Sequence, residues 1–347
     1  MRTLRLVNRS WSLTAAEFLF ELAVMQAHPA SFLALRALST TDLARYVRIC
    51  EIAICNPVLA FANDSTDIVH YMKAALAVRH FTQLRELNLL FIHEWVPDVG
   101  FPDGDVAGFS DLRKVVLSQL FHDLAPRDFM HLQYLTLRTD AESFVKCMHD
   151  FDGSRAMPLH PVPSQSILRH LGGLVHLDLC FALEDENGRV FFDYAALGHY
   201  INRLIRHCSK DRLRTLALAF SASPNWRLRQ YDHIQVPFLD NIILPNLQDL
   251  YLEDMRIAPS DLADFLAMHL GSRSKLRNVY LAGILMPEPP LEVSTLNCGG
   301  WAQFCRELSP CKSRPFIKFE SIGYVGGFPL REIDGDWLQR TIEMAGD

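Results

Sequence analysis

The sequence predicts an α/β solenoid, a row of short parallel strands, one per repeat, joined by return helices and loops. Three observations carry that expectation. A short phrase recurs along the chain: an apolar residue, two others, then two apolar residues flanking a single one. The last two apolar positions of the phrase, spaced by two, fall on one side of a strand. The hydrophobic fraction, 49% of 347 residues, supports a core large enough for two ordinary domains or one elongated array.

The phrase stands at Leu84-Arg-Glu-Leu87-Asn-Leu89, Leu112-Arg-Lys-Val115-Val-Leu117, Leu132-Gln-Tyr-Leu135-Thr-Leu137 and Leu174-Val-His-Leu177-Asp-Leu179. It returns at Leu213-Arg-Thr-Leu216-Ala-Leu218, Leu247-Gln-Asp-Leu250-Tyr-Leu252 and Leu276-Arg-Asn-Val279-Tyr-Leu281, with a degenerate copy at Val47-Arg-Ile-Cys50-Glu-Ile52. Five copies use only Leu. The first apolar residue reaches the core from the turn before the strand. Each such side chain is worth about 1.5–3 kcal/mol when fully buried, and only a neighbouring copy can bury it. That dependence on neighbours defines a leucine-rich-repeat stack.

Residues 1–80 read as a helical segment. Ala15, Phe18, Leu19, Leu22 and Met25 form an amphipathic stripe from Thr14 to Ala27, with Thr14 and Glu17 as a capping box and Pro29 as its stop. Short helices follow over Ser31–Leu38 and Thr41–Tyr46, the second capped by Thr41 or Asp42, and another over Ile68–Phe81. The repeat array occupies 81–285. Its middle apolar positions, from Leu87 to Val279, step by 28, 20, 42, 39, 34 and 29 residues. Repeats of this class run about 20–29 residues, so the longer steps hold insertions. Phe151–Ser164, with three prolines, reads as a loop, and Phe192–His207 as a return helix carrying Tyr194, Leu197, Ile201, Leu204 and Ile205. Ala219–Pro237, containing Trp226 and Tyr231, reads as a long loop. Ser260 caps a helix over Asp261–Leu270 that turns Leu262, Phe265 and Leu266 inward and stops at Gly271. Residues 286–347 read as a C-terminal cap: a helix over Trp301–Leu308, a last strand over Phe316–Ser321 and a helix over Asp334–Met344.

Composition excludes some functions. A net charge of −6 argues against non-specific nucleic-acid binding, which needs an excess of Lys and Arg. No uninterrupted apolar run reaches about 18 residues, so no membrane span is expected, and the N-terminus lacks the pattern of a signal peptide. The eight cysteines, at 50, 55, 147, 180, 208, 298, 305 and 311, show no disulfide framework. Reduced thiols in a cytoplasmic or nuclear setting are the simplest reading.

Residues beside the inward leucines project onto the open face of the strands. Tyr134, Arg138, His176, Asp178, Asp249, Tyr251, Glu253 and Tyr280 are the candidate protein contacts, because aromatic anchors with a polar rim suit binding surfaces. His176, Asp178 and Cys180 share one strand face but lack a second cluster to complete a catalytic site. Cys298, Cys305 and Cys311 lack the close pairs of a zinc module. Asp103-Gly-Asp105 and Asp334-Gly-Asp336 are acidic turns without a calcium-loop pattern. There is no phosphate-cradling glycine loop or nucleophile elbow. No metal, cofactor or small-molecule ligand is expected, and the chain is expected to bind rather than to catalyse.

The segment Leu4-Arg-Leu6-Val7-Asn-Arg9-Ser-Trp11, followed by Ala15-Ala-Glu-Phe18-Leu-Phe20, resembles the second half of an F-box. Thr41-Asp-Leu-Ala-Arg-Tyr-Val-Arg-Ile-Cys-Glu-Ile52 resembles the junction that leads into degenerate leucine-rich repeats in fungal F-box proteins. The Leu-Pro start and first helix of that family have no counterpart here, so the likeness is to an N-terminally truncated F-box. The resemblance implies the substrate-recognition subunit of a cullin–RING ubiquitin ligase of the SCF type. It implies that Leu4, Leu6, Val7 and Trp11 serve contact with a Skp adaptor. The alternative expectation is an interaction scaffold unconnected to ubiquitin.

Overall fold

The computed structural model describes residues 15–26, 29–53, 76–91, 117, 131–151, 171–183, 191, 193–208, 211–221, 242–255, 257–269, 275–287, 304, 316–320, 323–325 and 340. The chain divides into two compact units, Met1–Leu174 and Val175–Asp347.

In the first unit a helical turn at residues 15–19 leads into β1 (Leu22–Gln26), and α1 (Pro29–Ser39) follows. A 3-10 turn (Asp42–Tyr46) precedes β2 (Ile49–Ala53), and another (Leu76–His80) precedes β3 (Glu86–Leu90). β4 (Tyr134–Asp140) then runs directly into α2 (Ala141–Phe151). The strands pair in chain order and in parallel. Ala23, Cys50, Leu87 and Leu135 stand in register as one buried row, and Met25, Ile52, Leu89 and Leu137 as the next.

The second unit repeats the plan. β5 (His176–Ala182), α3 (Tyr194–His207), β6 (Thr215–Ser221), β7 (Asp249–Glu253), α4 (Pro259–His269) and β8 (Asn278–Ala282) follow one another. β9 (Leu285–Pro287), β10 (Phe316–Glu320) and β11 (Gly323–Val325) complete the described elements. β5, β6, β7, β8 and β10 lie side by side, all parallel, and β9 pairs with β11 separately. Leu177, Leu216, Leu250, Val279 and Ile317 form one buried row, with Leu179, Leu218, Leu252 and Leu281 in the next. A repeating strand-and-return unit that builds a sequential, all-parallel sheet is thus the architecture of both units.

A small backbone device recurs before the strands and explains the spacing of the phrase. The N–H groups of Arg85 and Glu86 both donate to the Arg48 carbonyl, at 2.7 and 3.0 Å. Gln133 and Tyr134 both donate to Arg85, Arg214 and Thr215 to Val175, Gln248 and Asp249 to Arg214, and Arg277 and Asn278 to Gln248. Two donors on one acceptor mark an inserted residue, as in a β-bulge. In an unbroken strand, a residue three before an inward one would face outward. The inserted residue reverses that, so Leu84, Leu132, Leu213, Leu247 and Leu276 are buried beside their strands. Upstream, Val47 donates to Ala44, Leu84 to Phe81, Leu174 to Leu171 and Leu247 to Leu244. Those four acceptor residues are themselves buried, so the repeat extends three residues before the phrase.

Several expectations are corrected. The stripe from Thr14 to Ala27 is not one helix: it ends at residue 19, and Leu22–Gln26 is β1, held by five-residue pairing to β2. Pro29 does not stop a helix but opens α1, since a first-turn proline has no intrahelical N–H to lose. Of the phrase at Leu112–Leu117, only Leu117 lies among the described residues. Leu117 is helical and buried, and β3 pairs directly with β4. Val115-Val116-Leu117 is continuously apolar, as is Leu216-Ala217-Leu218 of β6, so that feature alone does not separate strand from helix. β6 continues through Ala219 to Ser221, so the expected loop begins later. α4 begins at Pro259 rather than after a Ser260 cap; Leu262 donates back to the Ala258 carbonyl, at 3.2 Å.

Other elements stand as expected. α1 covers Ser31–Leu38, the Thr41 side chain caps the following 3-10 turn, and β10 is a last strand of the sheet. α3 is capped by Asp193, whose carboxylate accepts from Ala196 N–H at 3.0 Å, and it buries Leu197, Ile201, Leu204 and Ile205. The Phe151–Ser164 loop and the helices over Ile68–Phe81, Trp301–Leu308 and Asp334–Met344 lie largely outside the described residues, as do Gly271 and the Trp226 loop.

Candidate binding face

Alternation along each strand leaves one residue in two outside the core. In the second unit three rows cross the sheet. The first is His176, Thr215, Asp249, Asn278 and Phe316. The second is Asp178, Ala217, Tyr251, Tyr280 and Lys318, and the third is Cys180, Ala219, Glu253, Ala282 and Glu320. None of these fifteen positions is buried.

The aromatic centre is held from several sides. The Tyr251 and Tyr280 rings lie 6.0 Å apart between centroids, tilted by 52°. The Tyr280 hydroxyl donates to Glu320 Oε2 at 2.6 Å, and Lys318 Nζ sits 5.0 Å from the Tyr280 ring centroid. Asn278 Nδ2 donates to Asp249 Oδ1 at 2.6 Å, linking the next row across the same two strands. The hydrogen bond to Glu320, with burial and the neighbouring carboxylates of Glu320, Glu253 and Asp254, pushes the Tyr280 hydroxyl up to about 12. The same bond, together with Lys318, holds the Glu320 carboxyl below its ordinary value. Tyr280 is therefore a neutral, oriented ring at physiological pH. Tyr251, 38% exposed, is the accessible partner of the pair.

All eight sequence-derived contact residues sit on outward strand positions. In the second unit His176, Asp178, Asp249, Tyr251, Glu253 and Tyr280 share one face, where Tyr251 and Tyr280 touch. Tyr134 and Arg138 occupy β4 of the first unit, Tyr134 exposed and Arg138 half-buried. Leu4, Leu6, Val7 and Trp11 lie outside the described residues. Sequence reading missed Phe316, Lys318 and Glu320 on this face, although the alternation of Phe316-Ile-Lys-Phe-Glu carried the signal. It also missed β1, which turns Leu22 and Val24 outward, both exposed.

Among the described residues no three of His, Cys, Asp and Glu gather where they could hold a metal ion. No described helix is long and apolar enough to cross a membrane. Cys50 and Cys208 are buried free thiols, both pushed up to about 12 by burial, whereas Cys180 lies half-exposed on the outward face. No family model matches the chain, and no curated protein matches it. Fold and face define a parallel α/β repeat protein, an architecture compatible with a protein–protein interaction scaffold.

Proposed function

We propose that the chain is a leucine-rich-repeat protein that acts by binding another protein on the outward face of its strands, without covalent chemistry of its own. The observation that carries this reading is the Tyr251–Tyr280 pair, Tyr251 exposed and Tyr280 half-buried, braced within a polar rim of Asp249, Asn278, Lys318 and Glu320. Rigid aromatic anchors inside a polar ring are the features that concentrate binding energy at protein interfaces. A photo-crosslinking residue at Tyr251, compared with one at exposed Met268 on α4, tests it in cells. Protein adducts from position 251 and none from 268 are expected; the reverse pattern refutes the reading.

A narrower role, substrate recognition for an SCF-type ubiquitin ligase in the cytoplasm or nucleus, draws support from the F-box-like residues Leu4, Leu6, Val7 and Trp11. Phe18 and Leu19, in the same resembling segment, are exposed apolar residues of the kind an adaptor would cover. Co-purification with a Skp adaptor is the test. Failure to bind leaves the scaffold reading in place and removes the ubiquitin link.

A further inference from the structure

β1 stands first in the strand order of the first unit, and among the described residues no strand pairs with its outer side. Hydrogen bonding shows which backbone groups face that side. Ile49 N–H donates to the Glu21 carbonyl at 3.0 Å, so alternation turns the backbone groups of Ala23 and Met25 toward β2 as well. Leu22, Val24 and Gln26 turn theirs the other way. An open edge of this kind is a template for another strand, and proteins blunt it with charge, proline, a bulge or a cover. β10, the last strand of the sheet in the second unit, carries Lys318 and Glu320. β1 reads Leu22-Ala-Val-Met-Gln26, with neither charge nor proline, and its Leu22 and Val24 side chains are exposed.

Ser31 supplies a different protection. It lies in the first turn of α1, which opens at Pro29 soon after β1 ends. Its hydroxyl accepts from the Gln26 N–H at 2.9 Å and donates to the Val24 carbonyl at 3.3 Å. One side chain thus occupies both a donor and an acceptor of the open edge.

The consequence is plainest for a second copy of this chain. Two β1 strands related by a two-fold axis would run antiparallel, Val24 opposite its own equivalent and Leu22 opposite Gln26. Each facing pair would exchange its N–H and C=O groups. Nearly all of those bonds use the Val24 carbonyl or the Gln26 N–H, which Ser31 already holds. The exception runs from the Leu22 N–H to the Gln26 carbonyl of the other copy. Moving the axis to Leu22 brings no gain: β1 starts there, and the Phe20 N–H before it is spent on the Ala16 carbonyl, at 3.1 Å.

We propose that Ser31 guards the open edge of β1 against strand addition by a second copy of the chain. Its hydroxyl does on β1 what charged side chains do on other edge strands. The inference concerns the first unit alone and stands apart from the binding face of the second.

Hydrogen exchange read by mass spectrometry, on a peptide covering residues 20–27 of the full chain, tests it across a range of protein concentrations, with sedimentation velocity alongside. Wild type should show no slowing of exchange in this peptide as concentration rises. Ser31→Ala, when dilute, should exchange the Gln26 amide about 2–12-fold faster, the worth of one net hydrogen bond. When concentrated it should exchange this peptide more slowly and sediment toward a dimer. Ser31→Thr keeps the hydroxyl and should behave as wild type. Ser31→Ala combined with Leu22→Lys puts a charge on the strand and should abolish the concentration dependence, which a general loss of folding would not allow. Far-ultraviolet melting checks that each variant folds. Concentration-dependent protection in wild type overturns the proposal. So does its absence in Ser31→Ala, its appearance in Ser31→Thr, or its persistence when Leu22→Lys is added.

Discussion

His269 ties the end of α4 to the segment entering β7, and that tie makes the second unit sensitive to pH. Its ring is 4% exposed, with Nε2 accepting from the Leu244 N–H at 2.9 Å and Nδ1 donating to the Phe265 carbonyl at 2.7 Å. One neighbour only donates and the other only accepts, so the neutral tautomer with the proton on Nδ1 is fixed. Burial lowers the His269 pKa from the ordinary 6.5, the hydrogen bond to Phe265 opposing it in part. Below pH 6.5 the unfolded chain therefore binds a proton that the folded chain refuses. The stabilisation is whole above that pH and declines as the pH falls, by up to about 1.4 kcal/mol per unit, until the folded value is reached. His269→Ala strands the Leu244 N–H in the core, at about 1–3 kcal/mol, and leaves a hole beside Phe265, whose ring centroid lies 4.3 Å away. His269→Gln can restore an acceptor without restoring the pH dependence. Urea unfolding of the three proteins between about pH 7.5 and 5.5 reads both effects, and comparison with the variants removes slopes common to all, including that from His207. The gap between wild type and His269→Ala should narrow as the pH falls. A constant gap, or one below about 0.5 kcal/mol at neutral pH, refutes the reasoning.

Three further outcomes follow from single positions. Gly283, at φ +59°, lies where an added Cβ would meet Asp254 Oδ1 at 2.1 Å and Asp254 Cα at 3.2 Å; Asp254 is itself at φ 52°. Gly283→Ala should lose about 1–2 kcal/mol from the left-handed backbone alone, read as a lower melting temperature, and an unchanged melt would contradict that packing. Leu216, fully buried between Leu177 and Leu250, should cost about 2–5 kcal/mol as Leu216→Ala in urea unfolding. Thr139 points its hydroxyl into the core of the first unit with no hydrogen-bond partner, so Thr139→Val should raise stability by about 1 kcal/mol in the same assay.

Strand positions were legible where the phrase alternated cleanly, because burial of Leu87 and Leu89, or of Leu250 and Leu252, leaves only one register that hides both. β1 was not. Leu22 and Met25 fit a helix stripe as well as a strand, and the outcome depends on Ala23 and Met25 packing beside Cys50 and Ile52, which are distant in sequence. At Leu112–Leu117 the letters alone do not decide between strand and helix, since three consecutive apolar residues satisfy either period. The candidate face was legible as a set of outward residues. Its cross-strand rows were not, because Asp178, Ala217 and Tyr251 stand side by side only once β5 and β7 are known to flank β6. The bracing of Tyr280 by Glu320 was hidden for a similar reason: the two residues are 40 apart in the chain and meet only through the pairing of β8 with β10.

The central claim is that the outward strand residues of the second unit, and not the return helices, form the contact surface. With the protein captured by crosslinking at Tyr251, calorimetric titration of the chain carrying Tyr251→Ala and Tyr280→Ala together, beside a chain carrying His199→Ala on α3, measures it most directly. The paired tyrosine variant should bind at least about a hundredfold more weakly, as expected for two anchors at the centre of an interface, while His199→Ala binds as wild type. Unchanged affinity in the tyrosine variant, with a loss at His199, would contradict the account.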